Sequence, residues 1–176
     1  DFNRDVFLKG DLERFEGMKH GIDEAVVRGD VTLMEGANVW HNSVLHGSPC
    51  PITVGKNTSI QELTMVHVGF DKPVVIGDNV NIGHNCIIHG CTIEDCVTIG
   101  MGAIIMDGAI IGSGSFIGAG AVVTENKVIP PNSVVVGMPA KVIRESSEAQ
   151  RESTLESCRF YAEEAELERE REKLRE

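Results

Sequence analysis

The chain has 176 residues, enough for one domain with a sizeable core. Its formal charge of -11, from 16 Lys and Arg against 27 Asp and Glu with no basic stripe, argues against nucleic acid or an anionic membrane surface as the main partner. No apolar run approaches membrane-spanning length and no positively charged start leads into a signal-type stretch, so a soluble, cytoplasmic protein is expected. The five cysteines, Cys50, Cys86, Cys91, Cys96 and Cys158, are odd in number and form no C-x-x-C pair. Buried reduced thiols are expected, rather than a disulfide framework or a cysteine-zinc knuckle.

Residues 1–20 stand apart as an N-terminal segment. From there a six-residue rule takes over and decides the architecture. Aliphatic residues recur at Val27, Leu33, Val39 and Leu45, then at Val54, Ile60 and Val66, and then at Ile76, Ile82 and Ile88. They continue at Ile93, Ile99, Ile105, Ile111, Ile117, Val123 and Ile129. A small or β-branched residue follows four places after most of them, as at Ala37, Ser43, Thr64, Cys86, Ala103 and Ala121. Insertions after Leu45 and Val66 and a five-residue step from Ile88 to Ile93 are the only breaks. A helix needs apolar spacings of three and four, and a strand needs two. A period of six fits short strands separated by tight corners, three faces to a coil. Gly55, Gly77, Gly83, Gly100, Gly112 and Gly118 each follow an aliphatic and are expected to supply corner conformations that a Cβ would penalise. Met101 and Met106 are expected as core filler.

The rhythm runs through residues 21–144 and gives nearly six coils, fading through the exit segment 134–144. Composition then shifts, and residues 145–176 read as a charged α-helix. Leu155, Cys158, Ala162 and Ala165 give it a narrow apolar face to lay on the prism or on a neighbour.

The repeat places the histidines. The hexads that begin at Leu45, Val66 and Ile88 are three apart, so His46, His67 and His89 should share a column on one face. Successive coils are spaced like neighbouring strands, about 4.8 Å, which lets His67 and His89 share a metal ion. His84 falls across a corner on the preceding face and cannot easily close that site within one subunit, whereas a neighbouring prism could bring its own His84 in. Three imidazoles with an open fourth position are what a catalytic zinc requires. His20 and His41 are read as structural or surface residues. Arg28 belongs to the His46 column further down.

The stretches NVWHNSVLHG, NTSIQELTMVH, IGDNVNIGHNCIIHGCTI and IGMGAIIMDGA resemble the γ-class carbonic anhydrases, hexapeptide-repeat proteins of left-handed β-helical fold. The resemblance covers about residues 21–142. It implies an all-β, left-handed parallel β-helix with a C-terminal α-helix, assembled as a homotrimer, with carbon dioxide and bicarbonate as the small-molecule substrates. It also implies zinc, with iron or cobalt as alternatives, held by His67, His84 and His89, with His84 donated across the interface. Gln61 would orient water or substrate, and Glu62 would act as a supporting or proton-transfer carboxylate. His46 and Ser48 stand where the family usually has an arginine and an aspartate, and Ser59 replaces a common asparagine, so reduced hydration is expected. Tyr161 sits where some relatives bring an aromatic hydroxyl toward the site. The connection 68–73 lacks the acidic proton-shuttle loop of the best-known form of the class. Coenzyme A-dependent acyl transfer, acyl-coenzyme A thioesterase activity and a weakly active assembly role are the competing functions on this scaffold.

Overall fold

The computed structural model describes residues 25–173, so the expected N-terminal segment and His20 lie outside the described residues. The chain enters on β1 (Val26–Leu33) and then winds coil upon coil. β2 (Asn38–Val39) and the long β3 (Val44–Val54), which bends over a corner, form the first complete coil. Three further coils take three strands each: β4 (Ser59–Ile60), β5 (Met65–His67) and β6 (Val74–Ile76); β7 (Asn81–Ile82), β8 (Ile87–His89) and β9 (Thr92–Ile93); β10 (Thr98–Ile99), β11 (Ile104–Ile105) and β12 (Ile110–Ile111). β13 (Phe116–Ile117), β14 (Val122–Val123) and β15 (Val128–Ile129) make the next, and β16 (Ser133–Val136) begins another before β17 (Lys141–Glu145) turns back antiparallel.

The result is a left-handed parallel β-helix of about six coils with three faces. One face stacks β3, β5, β8, β11 and β14, the second stacks the far half of β3 with β6, β9, β12 and β15, and the third stacks β2, β4, β7, β10, β13 and β16. The hexad aliphatics point inward: Leu45, Ile60, Ile82, Ile88, Ile99, Ile105, Ile117 and their neighbours are essentially inaccessible. Each such side chain contributes about 1.5–3 kcal/mol relative to exposure. The buried small partners fill the space between them, and buried Ser43 and Thr64 bond the backbone carbonyls of Gln61 and Gly83 at 2.7 and 3.0 Å.

Two expectations are corrected. The glycines that follow the aliphatics do not adopt positive φ; the corner residues that do are mostly Asn and a different glycine set, including Asn42, Asn85, Gly102 and Gly120. The first set is needed instead for close approach between coils: a Cβ on Gly100 would lie 2.5 Å from the Ala119 nitrogen, and one on Gly112 2.5 Å from the Pro131 nitrogen. Met101 is 58% exposed and Met106 only half-buried, because both follow the corner outward rather than into the prism. Leu63 departs from the corner chemistry, taking φ +64° between Asn42 below and Asn85 above.

The helix α1 (Glu148–Lys173) opens on a capping box, with the Ser147 amide donating to Gln150 Oε1 at 3.2 Å and the Gln150 amide donating to Ser147 Oγ at 3.3 Å. It returns along the third face, packing on β2, β4 and β7. Cys158 and Ala165 are buried and Leu155 and Ala162 half-buried, joined by buried Thr154, whose hydroxyl bonds Thr98 Oγ1 at 2.8 Å. Burial pushes the Cys158 thiol up to about 12, and Cys86 and Cys91 to about 11 and 12, which disfavours the reactive thiolate; four of the five free cysteines are buried as expected, whereas Cys50 on β3 is only half-buried. No described helix is long and apolar enough to cross a membrane.

Candidate metal centre

The register of the first face sets the histidine column. Arg28 pairs with His46 across β1 and β3, His46 with His67 across β3 and β5, and His67 with His89 across β5 and β8. In the next coil Ile105 pairs with Ile88, so Met106 succeeds His89 and the column ends. The rings follow the backbone: His46 and His67 lie 5.2 Å apart by centroid, as do His67 and His89, with interplanar angles of 42° and 44°. His67 Nδ1 and His89 Nε2 face each other at 3.1 Å. Burial, then the neighbouring His89 and His46, hold the His67 pKa below the ordinary imidazole value. His67 therefore stays neutral, the state a metal needs, further into acid than a free histidine.

A second column runs along the adjoining corner. Backbone bonds from Leu63 to His41, from Asn85 to Glu62 and from Gly102 to His84 stack His41, Glu62, His84 and Met101 in successive coils. Glu62 Oε2 accepts from His84 Nδ1 at 2.8 Å. His84 is thus held on the corner, away from the His67–His89 pair of its own chain. Among the described residues, no three His, Cys, Asp or Glu side chains of one chain come together to hold a metal ion. The two facing imidazole nitrogens could hold a borderline divalent metal ion, and the third imidazole stands apart from them on the corner.

The other expected residues divide between the two columns. Gln61 is buried beside Glu62, its Nε2 donating to Asn81 Oδ1 at 2.8 Å. Tyr161 reaches the same corner from α1: its ring meets Trp40 edge-on at 5.4 Å, and burial followed by the Glu62 charge raises its hydroxyl pKa. His41, read from sequence as a bystander, stands one coil below Glu62. Ser48 is half-buried two residues beyond His46 on β3. Ser59 is not part of either column; it lies fully buried on β4, and its hydroxyl makes no hydrogen bond within the described residues. Sequence reading overlooked Asp107, whose Oδ1 accepts a hydrogen bond from His89 Nδ1. The signal that could have found it is its place 18 residues after His89, one coil further along.

Residues 90–125 match the family model described as bacterial transferase hexapeptide (six repeats). The chain is 49% identical over 137 residues to a Methanocaldococcus jannaschii protein named "Probable carbonic anhydrase", covering 78% of this chain and 86% of that one. It is 42% identical to a carbonic anhydrase of Geobacillus kaustophilus, over 72% of this chain and 69% of the relative. Among solved structures, a candidate acetyltransferase of Bacillus cereus superposes with a TM-score of 0.80 at 36% identity, covering 86% of this chain and 91% of that one. The chain belongs to the γ-class carbonic anhydrase-like family of hexapeptide-repeat proteins.

Proposed function

We propose that the protein hydrates carbon dioxide reversibly at a zinc site completed between subunits of a homotrimer, with His67 and His89 from one chain and His84 from its neighbour. The observation that carries this reading is the facing His67–His89 pair, with His84 turned onto an adjoining corner of the same prism. A neighbouring copy also has a surface to dock on. Val44, Met65, Ile87, Ile104 and Val122 are successive register partners beside the histidine column, with Met65 38% and Ile87 43% exposed. An apolar ladder of this kind, next to polar ligands, suits association with a second copy.

When bound, a divalent metal supplies Lewis acidity toward water at neutral pH. The chain's own residues do the rest. Glu62 accepts a hydrogen bond from His84 Nδ1 and so fixes that ring for the neighbouring subunit. Gln61 is locked by Asn81, which keeps its amide in one orientation beside Glu62. Tyr161 and Trp40 pack edge-on where α1 meets the corner, close enough to Glu62 for its charge to be felt by the Tyr161 hydroxyl. His46 and Ser48, in place of an arginine and aspartate, leave the site without that ion pair, so turnover below that of relatives that keep it is expected.

A second reading rests on a cavity of about 270 Å³ bordering His89, walled by Ile87, Ile104 and Met106, which is larger than carbon dioxide requires. It suits an acyl chain and hence acyl transfer or thioester hydrolysis. One sample separates the two: elemental analysis of protein purified without oxygen, with stopped-flow carbon dioxide hydration and an acyl-coenzyme A hydrolysis assay. About one metal per chain with hydration is the expected result. Metal with thioester hydrolysis alone would favour the second reading, and no metal after reconstitution would refute the site.

A further inference from the structure

Asp107 lies outside the set of residues expected at the site, yet the turns beside it leave space for its carboxylate against His89. It occupies the turn after β11, one coil beyond His89, and reaches back to accept from His89 Nδ1. Room for it is made by two glycines: a Cβ on Gly90 would lie 2.7 Å from Asp107 Oδ1, and one on Gly69 3.2 Å from Asp107 Oδ2. Gly90 is also the residue that closes the tight corner between β8 and β9, at φ +49°. The Lys72 stem closes a third side, its Cβ 3.1 Å from the place a Gly90 Cβ would take.

An ionised carboxylate only accepts hydrogen bonds. His89 must therefore carry its proton on Nδ1, which leaves Nε2 bare. His89 Nε2 in turn faces His67 Nδ1 at 3.1 Å, so that contact is His67 donating to His89. The order of protons along Asp107, His89 and His67 is thus set from the Asp107 end.

We propose that Asp107 is a positioning residue: by holding His89 in its Nδ1–H tautomer it keeps the His89 Nε2 lone pair unprotonated, so that a borderline divalent metal ion can bind there in place of the His67 Nδ1 proton. The inference rests on the metal reading above and deepens it. Glu62 does the same for His84 on the opposite side of the shared site, so the two imidazoles are aimed by carboxylates from different coils.

The test uses full-length protein, Asp107→Asn and Asp107→Ala. Long-range nitrogen–proton NMR on metal-free samples at about pH 8.5, where an ordinary imidazole is neutral, reads the His89 tautomer without reference to metal. Cobalt titration against a competing chelator reads affinity. Wild-type His89 is expected as the Nδ1–H form, and Asp107→Ala as a mixture. Cobalt binding should weaken by about 10- to 100-fold in Asp107→Ala and less in Asp107→Asn, whose amide oxygen still accepts. Wild-type His89 in the Nε2–H form would overturn the inference whether or not metal binds. Affinity of Asp107→Ala within twofold of wild type would overturn it as well. Failure of wild type itself to bind cobalt, with the Nδ1–H tautomer present, would instead overturn the metal reading on which the inference rests.

Discussion

His67→Ala and His89→Ala are each expected to lose bound metal and carbon dioxide hydration together while keeping the fold. The two side chains are part-exposed at the prism surface, whereas the residues just before them, Val66 and Ile88, carry the core. Truncating the imidazole therefore opens no interior cavity, and the thermal unfolding midpoint of the metal-free chain should stay near wild type. Metal affinity should fall by more than the roughly 10- to 100-fold typical of losing a residue that merely supports a ligand. Elemental analysis after dialysis, paired with stopped-flow hydration, checks it. His46→Ala marks the contrast: His46 repeats the ring spacing of the pair but lies two coils away from His89, and metal content should survive its loss. A His67→Ala chain that retained metal would remove His67 from the ligand set.

Gly100→Ala is expected to destabilise the prism by about 3 kcal/mol, the upper part of the range for forcing atoms into a packed interior. Its Cβ would lie 2.5 Å from the Ala119 nitrogen and 2.8 Å from the Ile117 oxygen, and both are backbone atoms of the next coil that cannot swing aside. The Ile117 oxygen also accepts from the Gly100 amide at 2.7 Å, so relief by separation would break that bond between coils. Gly102→Ala, two residues on, isolates the other use of glycine. That position has φ +68° with nothing within 4 Å of an added Cβ, so only the left-handed strain of about 1–2 kcal/mol applies. Urea unfolding of the two variants at one protein concentration should rank them in that order. Equal losses would mean that coil spacing does not set the demand for glycine at position 100.

The fold was legible because a six-residue rule has few structural solutions, and the inward positions can be read directly from Ile76 to Ile129. The first histidine column followed from the same counting, since a column is a matter of register, and Arg28, His46, His67 and His89 pair as the hexads require, whereas the stacking of His41 under Glu62 and His84 was not foreseen. Side-chain reach was not legible. Asp107 belongs to the turn after its hexad rather than to the His89 column, and its contact depends on the space left by Gly69 and Gly90. Nor did the pattern separate the two glycine roles, because both kinds of glycine recur at six. Gly100 stands after an aliphatic and Gly102 at the corner itself, and only the backbone angles distinguish them. The placing of Tyr161 against Trp40 depended on α1 folding back along the third face, which no periodicity within the helix specifies.

The sharing of one metal site between two chains is tested most directly by mixing. His67→Ala chains and His84→Ala chains, unfolded together in equal amounts and refolded, should form hybrid trimers. A site is then whole only where a chain with intact His67 and His89 meets a neighbour with intact His84, which random assembly gives at about one site in four. Metal content and hydration of the mixture are expected at about a quarter of wild type, against essentially none for either variant refolded alone. A mixture no better than its separate components would contradict the shared site.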